Sequence, residues 1–347
     1  MKKILLILFV LVPAVIASSI FIMPDRATSE QENRSLMTRN GISRKIRDGS
    51  FQEDLESYLS DQFPLREELV YLQTGLRFAV GQRDIGGAYI CKSGRLIQKT
   101  TDADIDVKAL KAYALKVNAA AEERKTYVMY VPSAGVELKS ELPKGAVMYD
   151  YDSLYAGLTK RLPAATALDL RGVLASPDCY YKTDHHWNYN GAYLAYTEFC
   201  KARGVQAKPL ESFGVKTVSG DFRGTLYSKV PTFKGVDEIG LPSVPELSVT
   251  ADGKTIDFYD YKALETKDKY NVFQGGNHGV VEIENKNGNG KTLLVLKDSF
   301  ANSFVPYIAG EYSKIVMLDE RYAFVSLNEF AKQLNPDEIL VLREIIN

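Results

Sequence analysis

Two of the three histidines of the chain are adjacent, in the segment TDHHW at residues 183–187. Asp184 precedes them, and the only tryptophan follows. Side chains alternate between the two sides of an extended segment, so we expect Asp184 and His186 on one side and His185 on the other. Asp184 could then bind one imidazole nitrogen of His186 and hold the other nitrogen ready as a general base. The segment itself supplies no clear nucleophile.

A candidate nucleophile follows one of the apolar runs of the chain. TLLVL at residues 292–296 predicts a buried strand, and Ser299 comes shortly after its end. Ligands of open parallel sheets bind at the carboxyl ends of the strands, where the N–H groups of a helix start can also stabilise an oxyanion. The alternative interpretation makes Asp298 and Ser299 an ordinary helix cap.

Three further side chains could contact a substrate. Trp187 and Tyr181 could stack on a sugar, but either ring could equally pack in the core. Arg321 could bind an anionic sugar or pair with Asp319. These residue types do not decide between substrate binding and a structural role.

A metal site formed by Asp184, His186 and His278 is a further hypothesis. Adjacent histidines on an extended segment diverge, and no cysteine or carboxylate cluster completes the ligand set. We therefore expect neither a metal nor a cofactor.

The elements that must position these residues alternate between strands and helices from residue 104 onward. Helical periodicity is found at 107–121, 152–162 and 190–202. Apolar runs predict strands at 126–131, 167–170, 292–296, 314–318 and 338–342. This alternation predicts an α/β fold with a doubly wound, five-stranded parallel sheet.

Residues 205–290 interrupt the alternation and are predicted to form a β-rich insertion within a domain that spans 104–347. Asp252-Gly253 and Asn287-Gly288 are hairpin turn signals in or at the end of this region. Residues 26–103 are predicted to contain a linker, two helices separated at a proline, and a small hairpin.

Residues 1–25 are predicted to be a transmembrane helix. The apolar run from Ile4 to Met23 follows two lysines and has about the 20 residues that a membrane span needs. A signal peptide cleaved after Ala17 is the alternative. The apolar run continues beyond Ala17, which favours an uncleaved anchor with the rest of the chain outside the cytoplasm; cleavage would give a secreted protein.

Composition and charge exclude several classes of protein. A chain with 45% hydrophobic and 25% charged residues can bury a large core. The 43 basic and 44 acidic residues give a net charge of -1, so no positive field attracts nucleic acid. Three cysteines cannot form a complete set of disulfides, although Cys179 and Cys200 could be bridged.

Several motifs, taken in order, resemble one known family. They are SEQENRSL (29–36), DQFPLRE (61–67), VPSAG (131–135), TDHHW (183–187), GTLYSK (224–229), GGNHG (275–279), LLVLKDSFANSFVPYI (293–308) and LDERY (318–322). The chain resembles the DHHW-type proteins, which are relatives of the alginate O-acetyltransferases with an SGNH-hydrolase-like fold. So many motifs in the expected order make a chance match improbable.

The resemblance implies a Ser-His-Asp triad, with Ser299 as nucleophile, His186 as base and Asp184 as the residue that orients the base. The chain order Asp, His, Ser is the order known in the alginate acetyltransferases. The resemblance also suggests Gly276 and Asn277 as oxyanion donors. A hairpin turn with Asn277 and Gly279 at positive φ is the alternative for that segment.

The implied function is that of an extracytoplasmic O-acetyltransferase, or acetylesterase, acting on a cell-surface or exported polysaccharide through an acyl-enzyme. The related systems imply a membrane-bound acyltransferase as the partner that delivers the acyl group. The alternative function is a non-catalytic polysaccharide-binding or export-scaffold protein of the same fold. Lys297 favours this alternative, because esterases of the fold usually carry the glycine of a Gly-Asp-Ser block at that place.

Overall fold

The computed structural model of the chain describes residues 9, 11, 14–15, 18–29, 31–32, 34–43, 45, 49–231, 233–323 and 325–346. The chain divides into two units. The smaller unit consists of Met1–Ile85 and Ser228–Phe233, and the larger unit of Gly86–Tyr227 and Lys234–Asn347.

Among its described residues, the smaller unit includes two helices of 12 and 14 residues and three short strands. They are β1 (Thr28–Ser29), β2 (Arg34–Ser35), α1 (Ser50–Asp61), α2 (Arg66–Ala79) and β3 (Asp84–Ile85). The two helices are separated around Pro64, as the sequence predicts, because proline disfavours a helical conformation in the residue before it. The buried carboxylate of Asp61 accepts hydrogen bonds from the Arg34 guanidinium and from the Met37 N–H, which joins the end of α1 to β2.

Half of the expected membrane anchor, Ile4–Met23, lies outside the described residues. Among the residues that the structure describes, no helix has the length and apolar character needed to cross a membrane.

Strands and helices alternate through most of the chain from residue 86 onward. The strands are β4 (Ala88–Ile90), β5 (Leu96–Gln98), β6 (Lys125–Val131), β7 (Thr166–Leu168), β8 (Lys216–Phe222), β9 (Asp237–Leu241), β10 (Ser248–Ala251), β11 (Lys254–Thr255), β12 (Val280–Glu284), β13 (Thr292–Lys297), β14 (Lys314–Leu318) and β15 (Glu338–Glu344). The helices are α3 (Val107–Ala121), α4 (Ala134–Glu137), α5 (Tyr151–Thr159), α6 (Tyr189–Arg203), α7 (Thr225–Lys229), α8 (Phe300–Ile308) and α9 (Leu327–Leu334). The small hairpin β4–β5, expected within 26–103, belongs to the larger unit.

A mostly parallel sheet forms the centre of the larger unit. Its order, within the described residues, is β11-β10-β12-β14-β13-β15-β6-β7. The strands β14, β13, β15, β6 and β7 are parallel and correspond to the runs predicted from the sequence. The five parallel strands are confirmed, but they are not the whole sheet, because three antiparallel strands from the insertion extend it at the β14 edge.

The two hairpin signals have different outcomes. Asp252 and Gly253 both have positive φ, 47° and 78°, and they connect the paired strands β10 and β11. Asn287-Gly288 makes no hairpin, since β12 pairs with β14 and not with β13, which follows the turn. At Gly288 an added Cβ would overlap the backbone of Tyr312 and Ser313, which explains the glycine.

Helices cover both faces of the sheet, as in a doubly wound fold. On β13, Leu293 and Val295 pack into one apolar core together with α6 and α8. Leu294 and Leu296 pack into the other core together with α3, α5 and α9. Burial on both faces explains why residues 293–296 are apolar at every position rather than at alternate ones.

The three cysteines, Cys91, Cys179 and Cys200, are all buried free thiols. The bridge considered between Cys179 and Cys200 is therefore not formed.

Candidate active site

The TDHHW segment forms a tight turn, not an extended strand. Tyr180 and Trp187 form an isolated antiparallel bridge, and the Tyr181 N–H donates to the carbonyl oxygen of His186 at 3.2 Å. The expected divergence of His185 is wrong as a result. Its ring centroid lies 3.9 Å from that of His186.

Asp184 and His186 are nevertheless paired by this turn. The Nδ1 atom of His186 lies 2.6 Å from Oδ1 of Asp184, and the His186 N–H donates to the same oxygen at 3.0 Å. Burial tends to raise the pKa of Asp184, but the neighbouring His186 and His185 and these hydrogen bonds hold the pKa below its ordinary value. The carboxylate therefore stays ionised and orients the imidazole.

The second carboxylate oxygen of Asp184 is held by the GTLYSK motif. Oδ2 accepts from the Thr225 N–H at 2.7 Å and from the Thr225 hydroxyl at 3.0 Å. A Cβ at residue 224 would overlap Oδ2, so only glycine fits there. The residue types of Gly224 and Thr225 do not by themselves indicate a site. The only sequence signal for them is that they belong to the GTLYSK motif of the family resemblance.

Asp237, at the start of β9, fixes the residues before Asp184. Its carboxylate accepts from the N–H groups of Lys182 and Thr183 at 2.7 and 2.8 Å and from the Thr183 hydroxyl at 2.6 Å. Burial raises the pKa of Asp237, and Asp184 nearby adds to that effect. The turn is thus held from two sides by the β-rich insertion.

Ser299 lies between the end of β13 and the first residue of α8. Its Oγ atom is 2.7 Å from Nε2 of His186, although 113 residues separate the two along the chain. Ser299 makes no capping hydrogen bond with its side chain. Asp298 takes that role instead, accepting from the Phe300 N–H at 2.9 Å and from the Glu344 N–H at 2.7 Å.

Aromatic rings fix the plane of the His186 imidazole. Tyr270 stacks on it with a centroid distance of 4.1 Å and an interplanar angle of 7°, and Phe300 lies 4.9 Å away. The Tyr270 hydroxyl donates to the carbonyl oxygen of Ser299 at 3.0 Å. Tyr270 therefore contacts both residues, and no local sequence pattern indicated it.

Trp187 and Tyr181 are core residues. Trp187 is 0% exposed, and its Nε1–H donates to the Phe300 carbonyl at 3.0 Å. Tyr181 is 2% exposed and packs edge-on against Phe222 and Tyr270. Stacking on a sugar requires an open ring face, so the substrate-binding hypothesis is wrong for both residues.

Arg321 pairs with Asp319. Its Nε and Nη2 atoms lie 2.8 and 2.7 Å from the two carboxylate oxygens, and 41% of the side chain is exposed. Arg321 also lines a cavity of about 450 Å³ together with Lys297 and Arg343. The structure shows the ion pair, while contact with an anionic sugar stays a prediction.

The GGNHG segment forms a turn, but the positive φ values fall on residues 274–276 and not on Asn277. The Gly276 N–H donates to the Phe273 carbonyl at 3.0 Å. This donor is already used, so the expected oxyanion role of Gly276 is wrong. Asn277 is exposed, and its Oδ1 atom faces Lys297 and Asn302 at 3.4 and 3.3 Å.

The metal site considered from Asp184, His186 and His278 is not assembled. His278 lies instead beside Asp252, with Nδ1 3.2 Å from Oδ2, and beside the Gln274 carbonyl. Asp184, His185 and His186 do place one ligand atom each within 4.8 Å of one another. A metal ion held there would have to replace the hydrogen bonds that connect Asp184, His186 and Ser299.

The fold and the site define an α/β protein in which an aspartate, a histidine and a serine meet at the carboxyl end of a central parallel strand. The sequence model of a family described as DHHW protein matches residues 139–318. The chain belongs to this family. No curated protein matches the sequence.

Solved structures with a similar fold include a DHHW family protein from Eubacterium siraeum. It is 23% identical, with 74% of this chain and 93% of that chain covered and a TM-score of 0.60. Bacillus cereus PatB1, solved with a sulfonyl adduct, is 20% identical over 73% of this chain and 93% of its own, with a TM-score of 0.61. The O-acetyltransferase domain of Pseudomonas putida AlgJ is 13% identical over 75% of this chain and 91% of its own, with a TM-score of 0.47.

Proposed function

We propose that the protein is an SGNH-hydrolase-like O-acetyltransferase, or acetylesterase, that acts on a polysaccharide through a Ser-His-Asp triad. One observation carries the proposal. The chain of short contacts from Asp184 to His186 (2.6 Å) and from His186 to Ser299 (2.7 Å) is the geometry of an activated nucleophile. Partial exposure of Ser299 leaves its hydroxyl open to an acyl donor.

In the first half-reaction, Ser299 Oγ attacks the acyl carbonyl carbon while its proton moves to Nε2 of His186. The tetrahedral oxyanion then collapses, and the bond to the donor oxygen breaks. The leaving oxygen takes the proton from His186, which leaves an ester on Ser299 and a neutral imidazole. Asp184 stabilises the imidazolium between these steps and keeps its own charge.

In the second half-reaction, a sugar hydroxyl attacks the ester and its proton passes to His186. Collapse of the second tetrahedral intermediate returns the proton to Ser299 Oγ and releases the acetylated sugar. Water in place of the sugar gives the esterase reaction. The outcome depends on how well the bound acceptor excludes water.

In this mechanism the side-chain amide of Asn277 donates to the oxyanion. Its exposure supports the role, as do its contacts with Lys297 and Asn302, which lie before and after Ser299 in the chain. Removing one such donor from comparable enzymes costs about 10² to 10³ in turnover.

The proposed location is outside the cytoplasm, with the chain held at the membrane by residues 4–23. An exported or cell-surface polysaccharide is then the substrate. The proposed partner is a membrane-bound acyltransferase that supplies the acyl group. Support for these points comes from the N-terminal sequence and the family resemblance.

Lys297 favoured a non-catalytic scaffold when considered from the sequence alone. In the fold, its side chain is buried and extends to Asn302, with Nζ 2.6 Å from Oδ1. It does not prevent Ser299 from lying 2.7 Å from His186, so Lys297 no longer favours the scaffold over the enzyme.

Covalent labelling tests the proposal. A fluorophosphonate should phosphonylate Ser299 with loss of fluoride, and acetyl transfer from p-nitrophenyl acetate to an oligosaccharide should be measurable. Ser299→Ala should abolish labelling and reduce turnover by about 10⁶. Ser212→Ala, an exposed serine on another turn, is the matched control and should change neither.

Three results bear on the outcome. Labelling that disappears in the Ser299→Ala variant supports the enzyme. A folded wild-type protein that is not labelled and transfers no acetyl group, yet binds oligosaccharide, supports the scaffold. Wild-type turnover in folded Ser299→Ala protein contradicts the triad and favours a metal-dependent site at Asp184, His185 and His186.

A further inference from the structure

A buried lysine lies beside the nucleophile and takes no part in the triad. Lys297 is the last residue of β13, and its side chain is 1% exposed. Its Nζ atom lies 2.6 Å from Oδ1 of Asn302, 3.4 Å from Oδ1 of Asn277 and 3.9 Å from Oδ2 of Asp319. Burying a charged lysine is costly unless it has partners, so a specific role is to be expected.

We propose that Lys297 is a positioning residue that sets the orientation of the Asn277 amide, so that its Nδ2–H₂ group faces the developing oxyanion. This inference rests on the proposed acyl transfer. It gives a function to Lys297, which occupies the place where related esterases usually carry a glycine.

The hydrogen bonds from Lys297 to Asn302 and from Asn302 to Asn277 form a relay. Its direction is fixed by which of these groups can donate. A lysine ammonium only donates, so the Asn302 amide must present its oxygen to Lys297 at 2.6 Å. The Asn302 nitrogen is then on the other side, where it donates to Oδ1 of Asn277 at 3.3 Å. Oδ1 of Asn277 thus accepts from two donors.

The nitrogen of Asn277 must point away from both donors. If the Asn277 amide were flipped, its NH₂ group would face the NH₃⁺ group of Lys297 and the NH₂ group of Asn302, and no hydrogen bond could form at either contact. Donor and acceptor chemistry therefore determines the amide orientation, which distances alone do not. Asn277 is the exposed member of the three, so its Nδ2 is left on the open side of the cluster.

The relay is attached to the same turn as the nucleophile. Ser299 lies between Lys297 at the end of β13 and Asn302 in the first turn of α8. The Asn302 N–H donates to the Ser299 carbonyl at 3.2 Å. Lys297, Ser299 and Asn302 therefore belong to one short segment, which holds the Asn277 contacts and the nucleophile together.

The charge of Lys297 makes the relay sensitive to pH. Burial lowers the pKa of Lys297 to about 8, while Asp319 and Asp298 oppose this effect and Arg321 adds to it. Further charged groups that line the same cavity as Lys297 are Asp106, Lys116, Glu320 and Arg343, and Glu344 contacts Asp298 through its N–H. Once deprotonated, the amine can accept a hydrogen bond, so either amide orientation of Asn302 becomes possible.

Lys297→Met tests the inference, because it keeps the apolar stem and removes the donor. Turnover should fall by about 10²-fold with little change in KM, since only the oxyanion interaction is lost. The same substitution in an Asn277→Ala background should cost little more, because both changes remove one interaction. Wild-type turnover should also fall above about pH 8, and this alkaline loss should be absent in Lys297→Met.

Asn302→Asp gives an independent test if Lys297→Met does not fold. Its carboxylate still accepts from Lys297 but cannot donate to Asn277, so a loss similar to that of Lys297→Met is expected. Lys291→Met, on an exposed lysine just before the other end of β13, is the matched control and should keep wild-type turnover.

The outcomes separate this inference from the proposed function. Additive losses from Lys297→Met and Asn277→Ala, or wild-type turnover in folded Lys297→Met or Asn302→Asp, overturn the relay while the triad stands. Full turnover in Ser299→Ala overturns the proposed function and the relay together.

Discussion

Asp184 is the most completely bound side chain of the candidate site. Its two oxygens accept four hydrogen bonds, from the N–H and ring of His186 and from the N–H and hydroxyl of Thr225. Every acceptor position is filled by a donor, and the carboxylate is 3% exposed. Such a residue can orient its neighbour but has no route to exchange a proton with substrate.

Asp184→Asn should therefore keep the fold and reduce turnover by about 10⁴, less than Ser299→Ala. The NH₂ group of the new amide would face a donor group of either His186 or Thr225. The imidazole would stay in place, but the tautomer needed for catalysis would no longer be favoured. The measurement is acetyl transfer, with circular dichroism to check folding. Asp178→Asn, an exposed neighbour, is the control, and a larger loss for Asp184→Asn than for Ser299→Ala would contradict this division of roles.

Residue types and family order predict that Asp184, His186 and Ser299 meet, and the structure brings them together; each belongs to a short motif with its own chemical pattern. Thr225 and Tyr270 were not predicted as site residues. They reach the site from loops distant in sequence, and threonine and tyrosine are too common to stand out. The predicted orientation of His185 is wrong because side chains alternate between two sides only in an extended backbone, and this segment is a turn.

At the scale of elements, Gly224 and the first residues of α7 act as a clamp on the TDHHW turn. The N–H groups of Leu226 and Tyr227 donate to the Thr183 carbonyl at 3.1 and 3.0 Å, beside the contacts of Thr225 with Asp184. The close approach is possible only because residue 224 has no side chain. Helix α7 therefore positions Asp184 through the N–H and hydroxyl of Thr225.

Gly224→Ala should lower turnover by about 10²-fold, because a methyl group would displace the Asp184 carboxylate and misplacement of about 1 Å has costs of that order. Gly220→Ala is the matched control in the preceding strand, since a Cβ there meets no atom within 4 Å. Equal activity of the two variants would show that the clamp tolerates movement.

Strand β15 ends in a buried acid, Glu344. Burial raises its pKa to about 8, and Asp298 adds to the effect. The folded state then holds a proton that the unfolded chain loses above its ordinary pKa of 4.5, so stability falls as pH rises from about 4.5 to 8.

Glu344→Gln should remove this pH dependence. The variant and wild type should be equally stable near pH 4, and the variant should be more stable above pH 8 by a few kcal/mol, since each pKa unit is worth about 1.4 kcal/mol. Denaturant titrations at the two pH values measure the difference. Glu246→Gln, an exposed glutamate, should show no such trend, and equal stability of wild type and Glu344→Gln at pH 8 would contradict the burial argument.

The sequence predicts the parallel strands of the central sheet correctly, but it does not predict how many further strands join the sheet. Buried parallel strands are continuous apolar runs, and α3 has the predicted bounds Val107–Ala121 because its apolar spacing and the Asp106 cap agree. The antiparallel extension was not foreseen, because pairing of β12 with β14 depends on contacts between distant segments.

For the molecule as a whole, the candidate site is contained in the larger unit. Asp184, His186, Thr225, Tyr270 and Ser299 all lie within Gly86–Tyr227 or Lys234–Asn347. The smaller unit contributes none of these residues and includes the apolar N-terminal run. We propose that the larger unit carries out catalysis and that the smaller unit attaches the protein to the membrane.

This division predicts that the N-terminal segment stays attached. Residues 4–23 are apolar for about the length of a membrane span, and the run continues past Ala17, the one place where a signal peptidase would be expected to cut. Detergent should be needed to extract the protein, and N-terminal sequencing should find residues before Ser18. Ala17→Leu should change neither result, since an uncleaved anchor does not use this residue. A mature chain that begins at Ser18 and that Ala17→Leu converts to the full length would instead make the protein a secreted one, with acyl transfer taking place away from the membrane.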